Sequence, residues 1–273
     1  MTQLFALPEE IRKEEDWAGM LRMRASEGIS LQLEQVEYCR KSGEKILHTI
    51  SLEAHPGEWI AIDGAEGESA LCFCRLLLGQ IYPVSGSIKL YHEKGAVCEV
   101  SAATGNFFGM VEPEGAIFPG TIEDNLRLGQ TEITEDRIWE ALGCVMAEEE
   151  IRRLPQGLKT LIGPLNHPFH PEQMQKLMIA RAILMDCPIY LIGDITAALS
   201  RETEREILRR LRQIWKKKTC LFLSPRLQIL SRCDRIYQLQ ENEMVPSGEL
   251  VEPDGTLWED VACNIQRIAE VFA

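Results

Sequence analysis

The sequence of 273 residues lacks a long uninterrupted apolar run, a surplus of basic residues and any metal-binding cysteine motif. Its apolar stretches are broken well before the roughly 18 to 20 residues that a bilayer span needs. Arg75 divides residues 71–78, and Arg181 divides residues 177–185. The 42 acidic residues outnumber the 29 basic ones, so the formal net charge is −13. This balance disfavours a duplex nucleic-acid binder, because such proteins use a clustered basic surface.

The start of the sequence has no basic region followed by an apolar one, so no secretory signal is predicted and we expect a cytoplasmic chain. Nine cysteines are an odd number, and none lies in a CxxC or Cys/His spacing. We therefore expect reduced thiols that act as small hydrophobic side chains. His167 and His170 lie close together, but Pro168 separates them and no third ligand is near. No metal site is predicted.

Hydrophobic patterning predicts short strands that alternate with helices, which is typical of an α/β fold with a mostly parallel sheet. Antiparallel strands are expected at the front of the chain. The predicted strands cover residues 29–36, 45–52, 58–62, 87–90, 189–192, 220–223 and 235–239, and the predicted helices cover 70–79, 133–146, 171–185 and 202–215. Residues 1–28 are predicted to form a helical extension that covers the domain or clasps a partner. Residues 251–273 are predicted to form a C-terminal helix.

Several segments in a fixed order carry a more specific signal. A strand at 58–62 is followed by a glycine-containing loop and a helix, the arrangement that surrounds phosphate groups in many proteins. The further landmarks are Ser85-Gly86-Ser-Ile, Phe118-Pro-Gly-Thr121-Ile-Glu-Asp-Asn125-Leu, Leu154-Pro-Gln-Gly157-Leu, Ile179-Ala-Arg181-Ala182 and Thr196-Ala-Ala-Leu199. Together they resemble the nucleotide-binding domain of ABC transporters, especially of the exporter type, over about residues 29–250.

This resemblance implies a P-loop NTPase-like ABC ATPase fold. Its mixed sheet core would carry an antiparallel β-subdomain and a helical subdomain at about residues 122–186. The resemblance also implies a transmembrane partner protein, which would dock around residues 112–125 and 161–168. The chain would then be peripheral on the inner face of the membrane.

The loop aligned with the family's P-loop departs from the pattern G-x-x-x-x-G-K-[ST]. In that pattern the backbone N–H groups surround the phosphates, the lysine neutralises their charge and the hydroxyl binds Mg²⁺. Gly64 and Gly67 are retained in the sequence. Ser69 replaces the final glycine, Ala70 replaces the lysine and Leu71 replaces the hydroxyl residue. These five residues are therefore interpreted as a vestigial P-loop.

The other aligned catalytic positions have changed as well. Glu112 falls at the Q-loop glutamine, Gly193 at the Walker B aspartate, Asp194 at the catalytic glutamate, Ser200 at the D-loop aspartate, Pro225 at the switch histidine, Arg40 at the aromatic that stacks on adenine, and residues 169–173 at the signature motif. Pro171 offers no N–H group to phosphate and Glu172 repels it. Asp194 and Pro225 are accordingly vestigial, and no residue is assigned a catalytic role.

The retained scaffold and the changed catalytic positions favour a pseudo-ATPase with a structural or regulatory role in a membrane export complex. Its partners would be the transmembrane protein of an ABC exporter, an active ATP-binding subunit, or both, as a heterodimer or homodimer. No cofactor is expected. A first alternative is a subunit that still binds or hydrolyses ATP with Mg²⁺, since backbone amides alone can hold phosphate. A second is a soluble regulatory scaffold unconnected with transport.

Overall fold

The structure is a computed structural model that describes residues 28–64, 67–92, 97–111, 117–163, 169–240 and 243–249. Two sequence predictions, the C-terminal helix at 251–273 and all but the last residue of the extension at 1–28, lie outside the described residues. The same holds for Glu112, His167 and Pro168.

Twelve strands are described. Their bounds are β1 Ile29–Cys39, β2 Lys45–Ala54, β3 Trp59–Asp63, β4 Ser85–His92, β5 Val97–Glu99, β6 Phe108–Val111, β7 Gly120–Thr121, β8 Leu161–Ile162, β9 Ile189–Ile192, β10 Thr219–Leu223, β11 Arg235–Gln240 and β12 Glu243–Glu249. Seven of them, β1 to β4 and β9 to β11, correspond to the predicted ones.

Seven described α-helices and two 3₁₀ turns, Ala102–Phe107 and Gly157–Lys159, connect these strands. The helices are α1 Gly67–Leu77, α2 Ile122–Arg127, α3 Glu135–Cys144, α4 Glu148–Arg152, α5 Pro171–Met185, α6 Arg201–Ile214 and α7 Leu227–Leu230. Thr121, Thr134 and Ser200 accept hydrogen bonds from backbone N–H groups and so cap α2, α3 and α6.

Ten strands form one mixed sheet in the order β5-β4-β1-β2-β12-β11-β3-β10-β9-β6. Strands β11, β3, β10, β9 and β6 pair in parallel. Strands β1, β2, β4 and β5 pair antiparallel. The α/β prediction with a parallel core and an antiparallel β-subdomain is therefore confirmed.

The parallel strands supply two hydrophobic cores because their side chains alternate between the two faces of the sheet. In β9, Tyr190 and Ile192 face a core shared with α2 to α6. Ile189 and Leu191 face a second core, which includes α1 and the antiparallel strands. Burial on both faces explains why β9 reads as a continuous apolar run.

Helix α1 begins at Gly67, whereas the sequence pattern predicts a start at Ala70, so that predicted bound is wrong. Gly67 has a φ of +56°, a left-handed conformation that glycine adopts readily. This glycine lets the chain enter the helix directly from the turn after β3. The loop between β3 and α1 is therefore shorter than predicted.

All eight cysteines within the described residues are free thiols, and five of them are buried. Burial raises the pKa of Cys220 and of Cys233 well above the ordinary value. Both side chains are consequently neutral near pH 7 and pack as small apolar groups in the same core. The five buried cysteines thus pack as the small hydrophobic side chains that the sequence predicts.

Candidate functional site

The candidate site lies at the carboxyl-terminal ends of β3, β10 and β9, which are adjacent in the sheet. Gly64 follows β3, Ser224 follows β10 and Gly193 follows β9. Ligands of open α/β sheets bind in the crevice outside the carboxyl ends of such strands. The sheet thus brings together the segments aligned with the P-loop, the switch histidine and the catalytic glutamate.

The described P-loop candidates lie after β3 and in the first turns of α1: Gly64 follows the strand, and Gly67, Ser69, Ala70 and Leu71 belong to the helix. Gly64 has a φ of +76°, and a Cβ atom there would lie 2.7 Å from the Leu239 carbonyl oxygen, so this position requires glycine. Ser69 and Ala70 are half-buried in the first turns of α1. Leu71 is 42% exposed. At the positions of the lysine and the hydroxyl residue, the helix therefore presents a methyl group and an isobutyl group.

An ion pair joins the residue after β1 to the first turn of α1. The Arg40 side chain, just after β1, donates from Nε to Glu68 Oε1 at 2.6 Å, and its Nη2 contacts Glu68 Oε2. Its Nη1 donates to Glu44 Oε2 at 2.7 Å. The hydrogen bond to Glu68 raises the pKa of Arg40 above its ordinary value. The position aligned with the adenine-stacking aromatic is therefore tied to the first turn of α1.

A second charged cluster surrounds Asp194. Arg226 Nη1 donates to Asp194 Oδ1 at 3.1 Å and to Thr196 Oγ1 at 2.9 Å. Its Nη2 donates to Glu204 Oε2 at 3.0 Å, and the Thr196 hydroxyl donates to Glu204 Oε1 at 2.6 Å. Glu204 is only 1% exposed. Asp194 therefore shares its guanidinium with a buried carboxylate instead of standing free beside the strand end.

The residues aligned with the switch histidine and the D-loop have structural partners of their own. Pro225 is exposed and directly precedes Arg226, which makes the ion pairs just described. Ser200 caps α6, since its hydroxyl accepts from the Thr203 N–H at 3.2 Å. Gly193 donates its N–H to the Val111 carbonyl at 2.9 Å and so continues the sheet pattern.

The segment aligned with the signature motif begins helix α5. Phe169 is buried, His170 is exposed and precedes the helix, and Pro171 is its first residue. The His170 N–H donates to Gln173 Oε1 at 2.9 Å. This backbone donor is therefore already satisfied by a side chain of the same helix. Glu172 Oε1 lies 3.2 Å from Lys176 Nζ.

The predicted docking edge is held in place by polar contacts and presents apolar side chains. Asn125 accepts from the Phe118 N–H at 2.8 Å and donates to the Phe118 carbonyl at 2.9 Å. Arg181 Nε donates to the Asn125 carbonyl at 2.9 Å, and burial lowers the pKa of Arg181. Phe118 remains 49% exposed and Leu161, paired with Thr121, is 70% exposed.

Sequence reasoning missed the partners in the two ion clusters. The sequence did not indicate that Arg226, Glu204 or Glu68 would form ion pairs. A signal for Glu204 was present, since it falls on the apolar stripe of α6 with Ile207 and Leu211. An acidic residue on a buried helix face indicates a buried partner of opposite charge.

The fold matches that of the nucleotide-binding region of ABC exporters. A solved structure titled "Structure of a bacterial Atm1-family ABC exporter with ATP bound" matches with a TM-score of 0.71 and 26% identity. The match covers 80% of this chain and 38% of that one. No helix within the described residues is long and apolar enough to cross a membrane.

Homologues of the chain are ABC exporter proteins. The ATP-dependent lipid A-core flippase of Burkholderia pseudomallei (strain 1710b) is 32% identical over 257 residues, which cover 92% of this chain and 42% of the flippase. A multidrug resistance ABC transporter ATP-binding and permease protein of Lactococcus lactis subsp. cremoris is 31% identical, covering 82% of this chain and 38% of that protein. The chain thus spans less than half the length of these relatives. No protein-family model matches it.

Proposed function

We propose that the chain is a degenerate ATP-binding-like subunit of an ABC exporter complex, a pseudo-ATPase with a structural or regulatory role. The observation that carries this proposal is the engagement of Asp194 by Arg226, with Nη1 and Oδ1 3.1 Å apart. The Arg226 guanidinium occupies Asp194 Oδ1, an oxygen that a general base would present to the attacking water. Asp194, which aligns with the catalytic glutamate, is therefore held in an ion pair with another residue of the same chain.

The phosphate end of the site supports the same proposal. Ala70 and Leu71 supply neither the charge nor the oxygen ligand that phosphate and Mg²⁺ require. Glu68 places a carboxylate on the first turn of α1, and its pairing with Arg40 holds that carboxylate there. Mg-ATP does not fit this set of groups, and no step of hydrolysis is assigned to them.

The docking edge supports a role in a complex. Phe118 and Leu161 expose apolar surface in the segments where the family resemblance places the transmembrane partner. Arg181 and Asn125 fix the loop that carries Phe118. We propose that this edge binds the cytoplasmic part of a polytopic membrane protein, which gives the chain its place at the inner face of the membrane.

Calorimetric titration with Mg-ATP tests the loss of nucleotide binding. We expect no binding heat from the folded wild-type chain and measurable binding by the double variant Ala70→Lys, Leu71→Ser. Thr131→Lys, at an exposed turn, is the matched control for the added charge. One-to-one binding of Mg-ATP by the wild type would contradict the proposal and favour the alternative of a residual ATP-binding subunit.

Recovery of partners from the membrane fraction tests the proposed docking edge. Leu161→Asp should lose a polytopic membrane protein that the wild type retains. Val84→Asp is the matched control, because Val84 is 66% exposed and lies outside the docking edge. If neither variant changes recovery, or if the wild type recovers no membrane protein, the chain is better described as a soluble regulatory scaffold.

A further inference from the structure

A separate cavity of about 470 Å³ lies between helices α6 and α7. Two turns of α6 and the end of α7 supply its walls. The lining residues are Arg201, Glu202, Glu204, Arg205, Gln228 and Arg232. The vestigial P-loop, residues 64–71, contributes nothing to this lining, so the cavity is distinct from the candidate site described above.

The cavity is rich in guanidinium groups that have no anionic partner. Arg201, Arg205 and Arg232 form no ion pair with any carboxylate of the described residues. The direct partners of the Glu204 carboxylate are Arg226 and Thr196, and its charge also acts on Arg232 without forming an ion pair with it. The exposed carboxylate of Glu202 is then the one remaining acidic group among the lining residues.

Arg232 is the arginine of this cavity whose hydrogen-bond donors lack partners most clearly. Its Nε is buried and has no hydrogen-bond partner within the described structure. Burial lowers the pKa of Arg232 below its ordinary value, yet a guanidinium stays charged near pH 7. Arg232 Nη1 and Nη2 form no hydrogen bond within the described residues and, unlike Nε, are not enclosed by protein, so they are the donors that an anion in the cavity can reach.

We propose that this cavity binds a phosphate group through Arg201, Arg205 and Arg232. Guanidinium groups present planar pairs of donors that match phosphate oxygens. Arg201 and Arg205 also lie in the first two turns of α6, where the helix dipole adds positive potential. The site goes beyond the proposed function and does not depend on it.

Calorimetric titration of the full chain with inorganic phosphate, at ionic strength held constant with chloride, tests the site. AMP is the second probe, since it carries the same group on an organic scaffold. We expect phosphate binding by the wild type, and binding about tenfold weaker in Arg232→Gln and in Arg205→Gln. Arg209→Gln removes the same charge from α6 outside the cavity and should bind like the wild type.

Arg205 is exposed, so its variant should fold even if Arg232→Gln does not. Tighter binding of AMP than of phosphate would identify an organic phosphate as the ligand, and equal or weaker binding would identify free phosphate. No response of the wild type beyond the chloride control would overturn the proposal. It would also be overturned if all three variants lost binding equally, or if Arg205→Gln bound like the wild type.

Discussion

The interior of the parallel sheet and the ends of the same strands are built in opposite ways. Inside, β3, β9 and β10 place apolar side chains against both cores. At the end of β10, Arg226 is paired with carboxylates of the same chain, and Arg40 after β1 is paired with Glu68 of α1. From this contrast we expect the apolar interior to contribute more to the stability of the fold than the strand ends do.

The largest expected effect is in the sheet interior. Trp59 is 1% exposed, and its ring centroid lies 4.9 Å from that of Phe222. Trp59→Ala should lower the free energy of unfolding by about 3 to 5 kcal/mol, because it removes buried area and leaves a cavity. Urea unfolding followed by circular dichroism measures this. A loss under about 1 kcal/mol would show that the sheet interior is not the stabilising region.

The cluster around Arg226 should come next. Arg226→Gln leaves the buried carboxylate of Glu204 without its cation, and we expect a loss of about 2 to 3 kcal/mol. The double variant with Glu204→Gln should recover part of that loss, since no buried charge then remains unpaired. Equal stability of Arg226→Gln and wild type in urea would mean that the cluster contributes little.

A buried hydroxyl offers a smaller test of the interior. The Tyr190 hydroxyl donates to the Ala182 carbonyl at 2.8 Å and accepts from the Cys187 N–H at 3.0 Å. Tyr190→Phe should destabilise by about 1 to 2 kcal/mol, because both backbone groups lose a partner. The midpoint of thermal unfolding checks this, and an unchanged midpoint would indicate that these groups find other partners.

The pH dependence of the helical region gives a further test. Hydrogen bonds from Lys159 and then Arg127 lower the pKa of Glu123 below its ordinary value of 4.5. Its stabilising contribution is therefore full above pH 4.5 and is lost as the pH falls through the lower, folded-state pKa. Glu123→Gln should cost about 1 kcal/mol or less at pH 7. That difference should shrink in acid, and a difference independent of pH would contradict this assignment.

The smallest effect is expected in the segment aligned with the P-loop. Leu71 is exposed, so Leu71→Ser should change the free energy of unfolding by no more than about 0.5 kcal/mol. Urea unfolding beside Trp59→Ala compares the strand end directly with the interior. A loss as large as that of the tryptophan variant would remove the distinction between the two regions.

Local sequence patterns were enough to predict the bounds of some helices and strands. Helix α5 and strand β9 match the bounds predicted from the sequence, since Pro171 marks a helix start and β9 is a short apolar run after Pro188. Strands β5, β6, β7, β8 and β12 were not predicted. Strand β5, for example, has three residues and no buried one, so it carries too weak a pattern.

The contacts at the site could not be predicted in the same way. Arg40 and Glu68 are 28 residues apart, and Arg226 and Glu204 are 22 apart, so nothing local links them. Which arginine meets which carboxylate depends on the sheet order. Alignment to a family pattern placed Asp194 and Pro225 at a site, but it gave no information on what binds them.

The order of strands in the sheet also has a consequence during synthesis. Strand β3 lies between β11 and β10, which are made about 160 to 180 residues later. At roughly 5 to 20 residues per second, the ribosome needs about 10 to 40 seconds to supply those neighbours. During that interval an apolar strand has no partner for its edges. We therefore expect the nascent chain to need shielding, by the ribosome or by chaperones, until β10 and β11 have emerged.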